Sequence, residues 1–520
     1  MNSPQHYQTA PGDRIPFHHK LIYGLGAFVN NLLAAAIGGM IIVLNLGLGM
    51  NPALVGLVGA LPRLTDAITD PLMGFISDNT RSRWGRRRPY IFVGAIAAGL
   101  IYIALWQLPP GRAESFYFWY FLIGSFFFYL AYTVFATPWV ALGYELTPDY
   151  HERTRLMGVQ NFVGQIPYMI APYFLAIMYN KTWFENEVEG AAGLAVIIAV
   201  FVIVIGILPA IFLRERFKDI AEVEAKEKVA EAGAVRSVIM RNVVEFLRGF
   251  AITLQSKPFL KLCAATFLVF NGFILIASFQ SYVLIYYVFG GDAEVGATWV
   301  GHSGLLGAIS TLVVISFVTW LGTKIGKRQT FFVTTGISMV GYALKWVCYN
   351  PDNIAAFNAA VTAPLLGSIC DGGSGGAMAA WACANLDTPW LILLPAPLMA
   401  FGLGGLFTLM PSMIADVVDF DELQTHERRE GMYGSIFWWV VKLGMSVAIA
   451  GGGFLLNATG FDVTLGGNQA ESAITRMRLF DAFIPAAASG IAIWAIATFS
   501  ITEEKAHEVR LELEARRGAV

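Results

Sequence analysis

Within an apolar stretch, Leu61-Pro62-Arg63-Leu64-Thr65-Asp66-Ala67-Ile68-Thr69-Asp70-Pro71 places Arg63, Asp66 and Asp70 at relative positions i, i+3 and i+7, on one face of a helix. Two carboxylates one turn apart repel each other unless a proton or a cation lies between them, and their titrations are coupled. That is how a cation site is built. Lys442, inside the apolar run Phe437-Trp438-Trp439-Val440-Val441-Lys442-Leu443-Gly444, is a fourth such charge and can meet that face across a central cavity. Each charge in hydrocarbon costs about 2.5 kcal/mol or more and is therefore a candidate for function. The competing reading is a static network in which Arg63 and Lys442 neutralise the aspartates. Thr65, Thr69 and Thr133 offer neutral oxygen ligands to a hard cation, or else bond back to their own helices. Lys345, close to a helix end, is expected to snorkel.

The elements that must position these residues follow from composition. Of 520 residues 56% are hydrophobic and 14% charged, and mean hydropathy is +0.58, so much of the chain is solvated by something other than water. Only 4 Cys argue against a disulfide scaffold, and a net charge of −2 argues against a nucleic-acid partner. Met1 to Lys20 is polar and lacks the apolar core of a cleavable signal. From there, stretches long enough to cross about 30 Å of hydrocarbon recur at about 20–46, 52–76, 89–108, 116–143, 156–180, 191–213, 258–289, 297–321, 329–348, 390–415, 431–456 and 477–500. The expectation is an all-α integral membrane protein of twelve transmembrane helices in two pseudo-symmetric six-helix halves.

The halves are 1–213 and 258–500, separated by a charged linker at 214–257 and followed by a tail at 501–520. An internal repeat supports the division. His151-Glu152-Arg153-Thr154-Arg155 after span four is echoed by His426-Glu427-Arg428-Arg429 after span ten, and Gly85-Arg86-Arg87-Arg88 before span three by Gly326-Lys327-Arg328 before span nine. Two such halves are a transporter arrangement with the substrate site at midplane. Basic residues concentrate on one side, while Tyr349 to Pro389 contains neither Lys nor Arg, which makes the basic side and both termini cytoplasmic. On that side Asp78, Arg81, Arg83, Glu145, Asp149, Glu152, Arg153, Asp416, Asp419, Glu422, Arg428 and Arg429 form a charged constellation, read as a latch made and broken between rocking halves. No nucleophile with a base, no metal-ligand cluster within the spans and no phosphate loop is found, since Gly372 to Gly376 lacks the Lys-Ser/Thr that should follow, so neither an enzyme nor an ATP-driven pump is expected. Cys370 and Cys383 share the external loop, where spacing alone does not establish a disulfide.

At these residues the sequence resembles the glycoside-pentoside-hexuronide:cation symporters of the major facilitator superfamily, typified by melibiose permease. The resemblance rests on Asp66-Ala67-Ile68-Thr69-Asp70-Pro71 with Asp78-Asn79-Thr80-Arg81-Ser82-Arg83-Trp84-Gly85-Arg86, and on Tyr23 to Phe28, Pro148 to Arg155, Ala415 to Asp419, Arg429-Glu430-Gly431 and Val441-Lys442. It implies secondary active symport, with Asp66, Asp70 and Thr133 around the cation, beside the Thr69 hydroxyl read from the helix itself, and Lys442 joining the cation and sugar sites. A Lys-Asp pair of that permease is Asn30-Asn31 here, its span-four Asp is Ala136, a sugar-contacting Arg is Asn161 and a span-ten Trp is Phe407, so galactoside recognition does not carry over. The remaining lining is Asn30, Asn31, Arg63, Tyr132, Trp139, Asn161, Gln165, Gln280, Phe407 and Lys442; amides pair sugar hydroxyls, rings stack on a pyranose, and Arg63 or Lys442 suits an anionic hexuronide.

The expectation is therefore a monomeric symporter in the bacterial inner membrane, surrounded by lipid, that imports a glycoside or related sugar with H+ or Na+ and needs no cofactor or bound metal. A cation-coupled lysolipid carrier and a non-transporting sensor of the same fold are the alternatives.

Overall fold

The computed structural model describes residues 14–80, 82–147, 149–215, 255–370, 377–426 and 429–517. Arg81, Pro148, Arg428, the Gly-rich stretch 372–376 and the linker pattern beginning at Ile220 lie outside them. All regular secondary structure among the described residues is helical, with no β-strand, and the chain groups into two compact units: Met1–Met50 with Leu57–Asn242, and Asn51–Gly56 with Val243–Val520.

In the first unit the helices are α1 (Phe17–Met40), α2 (Val43–Leu46), the part of α3 (Pro52–Ala60) from Leu57 onward, α4 (Asp66–Asn79), α5 (Arg88–Trp106), α6 (Glu114–Glu145), α7 (Tyr150–Ile170), α8 (Phe174–Met178), α9 (Glu187–Gly206) and α10 (Leu208–Phe212). The second span is not one continuous helix. Between α3 and α4 the chain makes a 3-10 turn at Pro62–Thr65, because Pro62 has no N–H to donate and its ring crowds the carbonyl one turn back. Asp66 therefore stands in the first turn of a new helix, where the helix dipole favours a negative charge. Span five is interrupted in the same way at Ala171–Tyr173, around Pro172.

In the second unit they are α11 (Lys257–Tyr282, continued by a π-turn to Val288), α12 (Ala293–Ile325), α13 (Lys327–Cys348), α14 (Pro351–Phe357), α15 (Ala363–Cys370), α16 (Ala377–Ala384), α17 (Pro395–Thr425), α18 (Glu430–Thr459), α19 (Glu471–Ala497) and α20 (Glu503–Arg517). Among the described residues eleven helices are long and apolar enough to cross a membrane. One of them, Pro351–Cys370, lies where a loop was expected. It and α16 form a helical hairpin closed by a Cys370–Cys383 disulfide, the pairing that spacing alone left open. Residues 353–370 contain no charged side chain, so nothing opposes their burial in an apolar setting.

Close helix contacts are made at glycines in equivalent places. In the first unit a Cβ on Gly94 of α5 would stand 2.5 Å from the Phe135 backbone nitrogen of α6; in the second, a Cβ on Gly341 of α13 would stand 2.9 Å from the Met399 nitrogen of α17. Asn51–Gly56, expected with the first half, belongs to the second unit for the same reason. A Cβ on Gly453 of α18 would lie 2.2 Å from the Pro52 carbonyl oxygen.

Candidate functional site

In the first unit the charged face of α4 meets α6. Asp70 Oδ1 accepts from Thr133 Oγ1 at 3.0 Å, joining two residues 63 apart in sequence. The Arg63 guanidinium lies 5.5 Å from the centre of the Tyr129 ring and interacts electrostatically with Asp66 and Tyr132. Thr65 and Thr69 donate to the carbonyls of Pro62 and Thr65, so these hydroxyls bond to their own chain and offer only lone pairs to a cation.

Beside this group, Tyr132 donates to Asn30 Oδ1 at 3.0 Å, Asn30 Nδ2 to Asn31 Oδ1 at 3.0 Å, and Asn31 Nδ2 to the Gly164 carbonyl at 2.7 Å. The chain links α6, α1 and α7, so three helices hold the two amides in one orientation. Tyr168 of α7 interacts with both Arg63 and Tyr132 and joins the cluster. Gln165 is half-buried and Asn161 exposed one turn apart on α7. Trp139 is not part of this cluster. It is 2% exposed, stacks on Tyr23 at 5.1 Å, and donates to the Tyr23 carbonyl, with Gly26 leaving room for the indole. Its place is the packing between α1 and α6, and this corrects its expected role in the lining.

The second unit supplies Gln280, which donates to Ser303 Oγ at 3.0 Å, and Phe407, which packs edge-on to Phe270 at 5.3 Å and parallel to Trp438 at 6.3 Å. Trp438 is half exposed and lies one turn before Lys442 on α18, so an exposed indole and an ammonium share a face.

Several charges at the basic ends form pairs within a unit. Arg87 bonds Asp78 at 2.7 Å and Glu145 at 2.9 Å, Arg86 also pairs with Glu145, and Lys327 bonds Asp416 at 2.7 Å. Arg429 forks onto Asp421 at 2.9 and 3.1 Å, and Arg153 donates to the Thr147 carbonyl. These described pairs lie inside one unit. Arg83 is exposed; Asp419 is half-buried on α17.

The repeat extends to these contacts. Glu215 accepts from the backbone N–H groups of Arg86 and Arg87 at 2.9 and 2.8 Å, and Arg88 donates to the Ala210 carbonyl. In the second unit Glu503 stands beside Gly326, and Arg328 donates to the Ala497 carbonyl. In both cases an acid sits by the Gly that opens the basic motif and an Arg binds the carbonyl end of the unit's last span.

Glu152 is 1% exposed, accepts from Lys20 at 2.6 Å, Arg155 at 3.1 Å and the Ile15 N–H at 3.0 Å, and so ties the chain before α1 to α7. Burial pushes its carboxyl up, but these donors outweigh that and hold it below the ordinary carboxylate range. A depressed folded value means stability that is present above the unfolded value and lost as pH falls through the folded one. Glu152→Gln should be less stable than wild type at neutral pH by about 2 kcal/mol, a gap that persists down to the ordinary glutamate value of about 4.3 and closes below it. Thermal melts in detergent across that range test it; a gap independent of pH would remove the charge from the explanation.

Sequence reasoning missed a second buried charge pair. Lys345, expected to snorkel, is 3% exposed and bonds Asp481 of α19 at 2.5 Å, with the Tyr349 ring 5.5 Å from its ammonium. The helix ends there inside protein, so the ammonium has a carboxylate within reach instead of water. An acid inside span twelve was the available signal. Nearby, Arg478 is held between Tyr287 at 4.0 Å and Trp346 at 4.3 Å.

Two units of apolar helices repeating one charge pattern, each with polar side chains turned inward at a broken or partnered helix, are the construction of a secondary transporter. The chain belongs to the MFS/sugar transport protein family, whose model matches residues 22–503. It is 27% identical to an uncharacterized symporter of Synechocystis sp., over 98% of each chain. It is 22% identical to the isoprimeverose transporter of Lactiplantibacillus pentosus, over 88% of this chain and 83% of that one. Its fold is similar to the crystal structure of a bacterial homolog of the human lysosomal transporter Spinster, with a TM-score of 0.61 at 14% identity, covering 97% of this chain and 99% of that one.

Proposed function

We propose that this protein imports a glycoside together with a monovalent cation, H+ or Na+, by alternating movement of its two halves in a bacterial inner membrane. The observation that carries the reading is the α4 face, where Asp70 is held by Thr133 and Asp66, in the first turn, interacts with the charge of Arg63 in the 3-10 turn just before it. A cation taken up between two carboxylates relieves their repulsion and frees Arg63 and its tyrosines to arrange around a substrate. The neighbouring amides of Asn30 and Asn31 suit sugar hydroxyls, and the half-buried ring of Tyr132 suits a pyranose face. Each ligand then favours binding of the other. The name of the isoprimeverose relative agrees with a sugar-sized cargo.

The same reading places the ends bearing Arg86, Arg87, Lys327 and Arg429 in the cytoplasm, with both termini. The Cys370–Cys383 disulfide is then on the oxidising side, where such a bond persists. The test is uptake of glucosides, galactosides, pentosides and glucuronides into proteoliposomes under imposed Na+ or H+ gradients. Accumulation of one sugar under one gradient is expected. Movement of lysophosphatidylcholine but no sugar, by demonstrably folded protein, would overturn the glycoside reading.

A further inference from the structure

The hairpin between spans nine and ten plays no part in this transport reading. Apart from Asp371, its charged residues are Asp352 and Asp387, at its two roots. Leu365 is 63% and Met378 71% exposed, and Val361 and Trp381 are also open, so both arms carry apolar surface outward. At the root, Phe357 of α14 faces Leu306 of α12 and Trp390, Leu394 and Pro397 at the start of span ten across an apolar groove of about 370 Å³. Trp381 lies 6.2 Å from Trp390, which lies 6.2 Å from Trp299 of α12. Three indoles from three elements thus gather at the end of the unit opposite Lys324, Lys327 and Arg429.

We infer that this hairpin lies in the membrane interface and that the groove beneath it holds one acyl chain of a phospholipid from the surrounding leaflet. A helix of 20 residues without charge from its second turn onward has the composition of a lipid-facing segment, not of a water-facing loop. Clustered indoles mark the depth at which hydrocarbon gives way to headgroups. An exposed apolar patch of this kind requires a cover, and lipid supplies it without any charged partner surface. The groove volume lies within the range of ligand pockets, and its apolar wall offers an acyl chain contact along its length. The disulfide holds the two arms together over it. The inference stands whichever way the chain is oriented and whatever it transports.

The test uses the full-length protein in vesicles of phosphatidylethanolamine and phosphatidylglycerol, with a diazirine amino acid placed singly at Leu365, Met378 or, as the water-facing reference, Asp462 in the exposed loop at the same end. After illumination, mass spectrometry should find phospholipid adducts at Leu365 and Met378 and water addition at Asp462. Water addition at all three positions, or a covalent dimer through Leu365 or Met378, would overturn it. For the groove, native mass spectrometry of wild type should retain one phospholipid that Leu306→Trp and Leu394→Trp each lose while keeping the wild-type melting temperature. Wild type that retains no lipid, or a folded groove-filling variant that keeps it, sinks the acyl-chain assignment. Should both variants unfold, the adducts at Leu365 and Met378 still decide whether lipid covers the hairpin.

Discussion

Asp70→Asn is expected to let sugar equilibrate across the membrane but not accumulate. The cation is the only source of uphill work in the proposed cycle, and one charge crossing 100 mV is worth about 2.3 kcal/mol, roughly a 40-fold concentration ratio. Asp70 accepts from the Thr133 hydroxyl of α6 at 3.0 Å. An amide keeps the volume and still accepts that hydrogen bond, so folding is preserved. What it removes is the charge that competes for a cation. Uptake under a gradient should therefore fall to the equilibrium level, while exchange of labelled for unlabelled sugar in its absence persists. Thr133→Val, which removes one neutral ligand and leaves both carboxylates, should weaken cation affinity without abolishing accumulation. Full accumulation by Asp70→Asn would place the coupling site elsewhere.

The second large effect concerns stability. Asp481→Ala leaves the Lys345 ammonium buried with its carboxylate gone, and removing one partner of such a pair costs about 3–5 kcal/mol. The Tyr349 ring offsets only a part of this. Replacing both by apolar residues of similar size, Lys345→Met with Asp481→Leu, removes the desolvation of two charges together and should restore stability to within about 1 kcal/mol of wild type. Thermal midpoints of the three proteins in detergent measure the difference. Transport by the double variant separates two roles for the pair. Retained accumulation makes it a clamp between α13 and α19, whereas a stable double variant that binds sugar but cannot accumulate it would make the pair part of the coupling route.

These residues also show where reading the chain succeeds and where it stops. Charges set in apolar runs stand out in one dimension, so Arg63, Asp66, Asp70 and Lys442 were visible, as was the echo of Gly85-Arg86-Arg87-Arg88 in Gly326-Lys327-Arg328. Asp481 is not singled out in one dimension because it lies near the start of a span, where an acid at a helix end is ordinary, and the sequence does not show that Lys345 faces it. Trp139 was placed in the lining because an aromatic in a transporter helix has two plausible faces, and composition does not say which one turns inward.

Span length, apolar composition and the spacing of charges along one helix are local properties, and the sequence alone determined them: a membrane protein, most of its spans, its repeat and the acidic face of span two. Partner choice is not local. The bonds from Asp70 to Thr133, Asn31 to Gly164, Lys345 to Asp481 and Glu215 to the start of α5 join residues 63 to 136 apart, and each depends on how one helix is rotated against another. That rotation is settled by interlocking of many weak contacts, such as the close approaches at Gly94 and Gly341, and a change of one residue in helical phase turns a side chain by about 100°. Only the tertiary structure, therefore, decided which of these charges and amides meet.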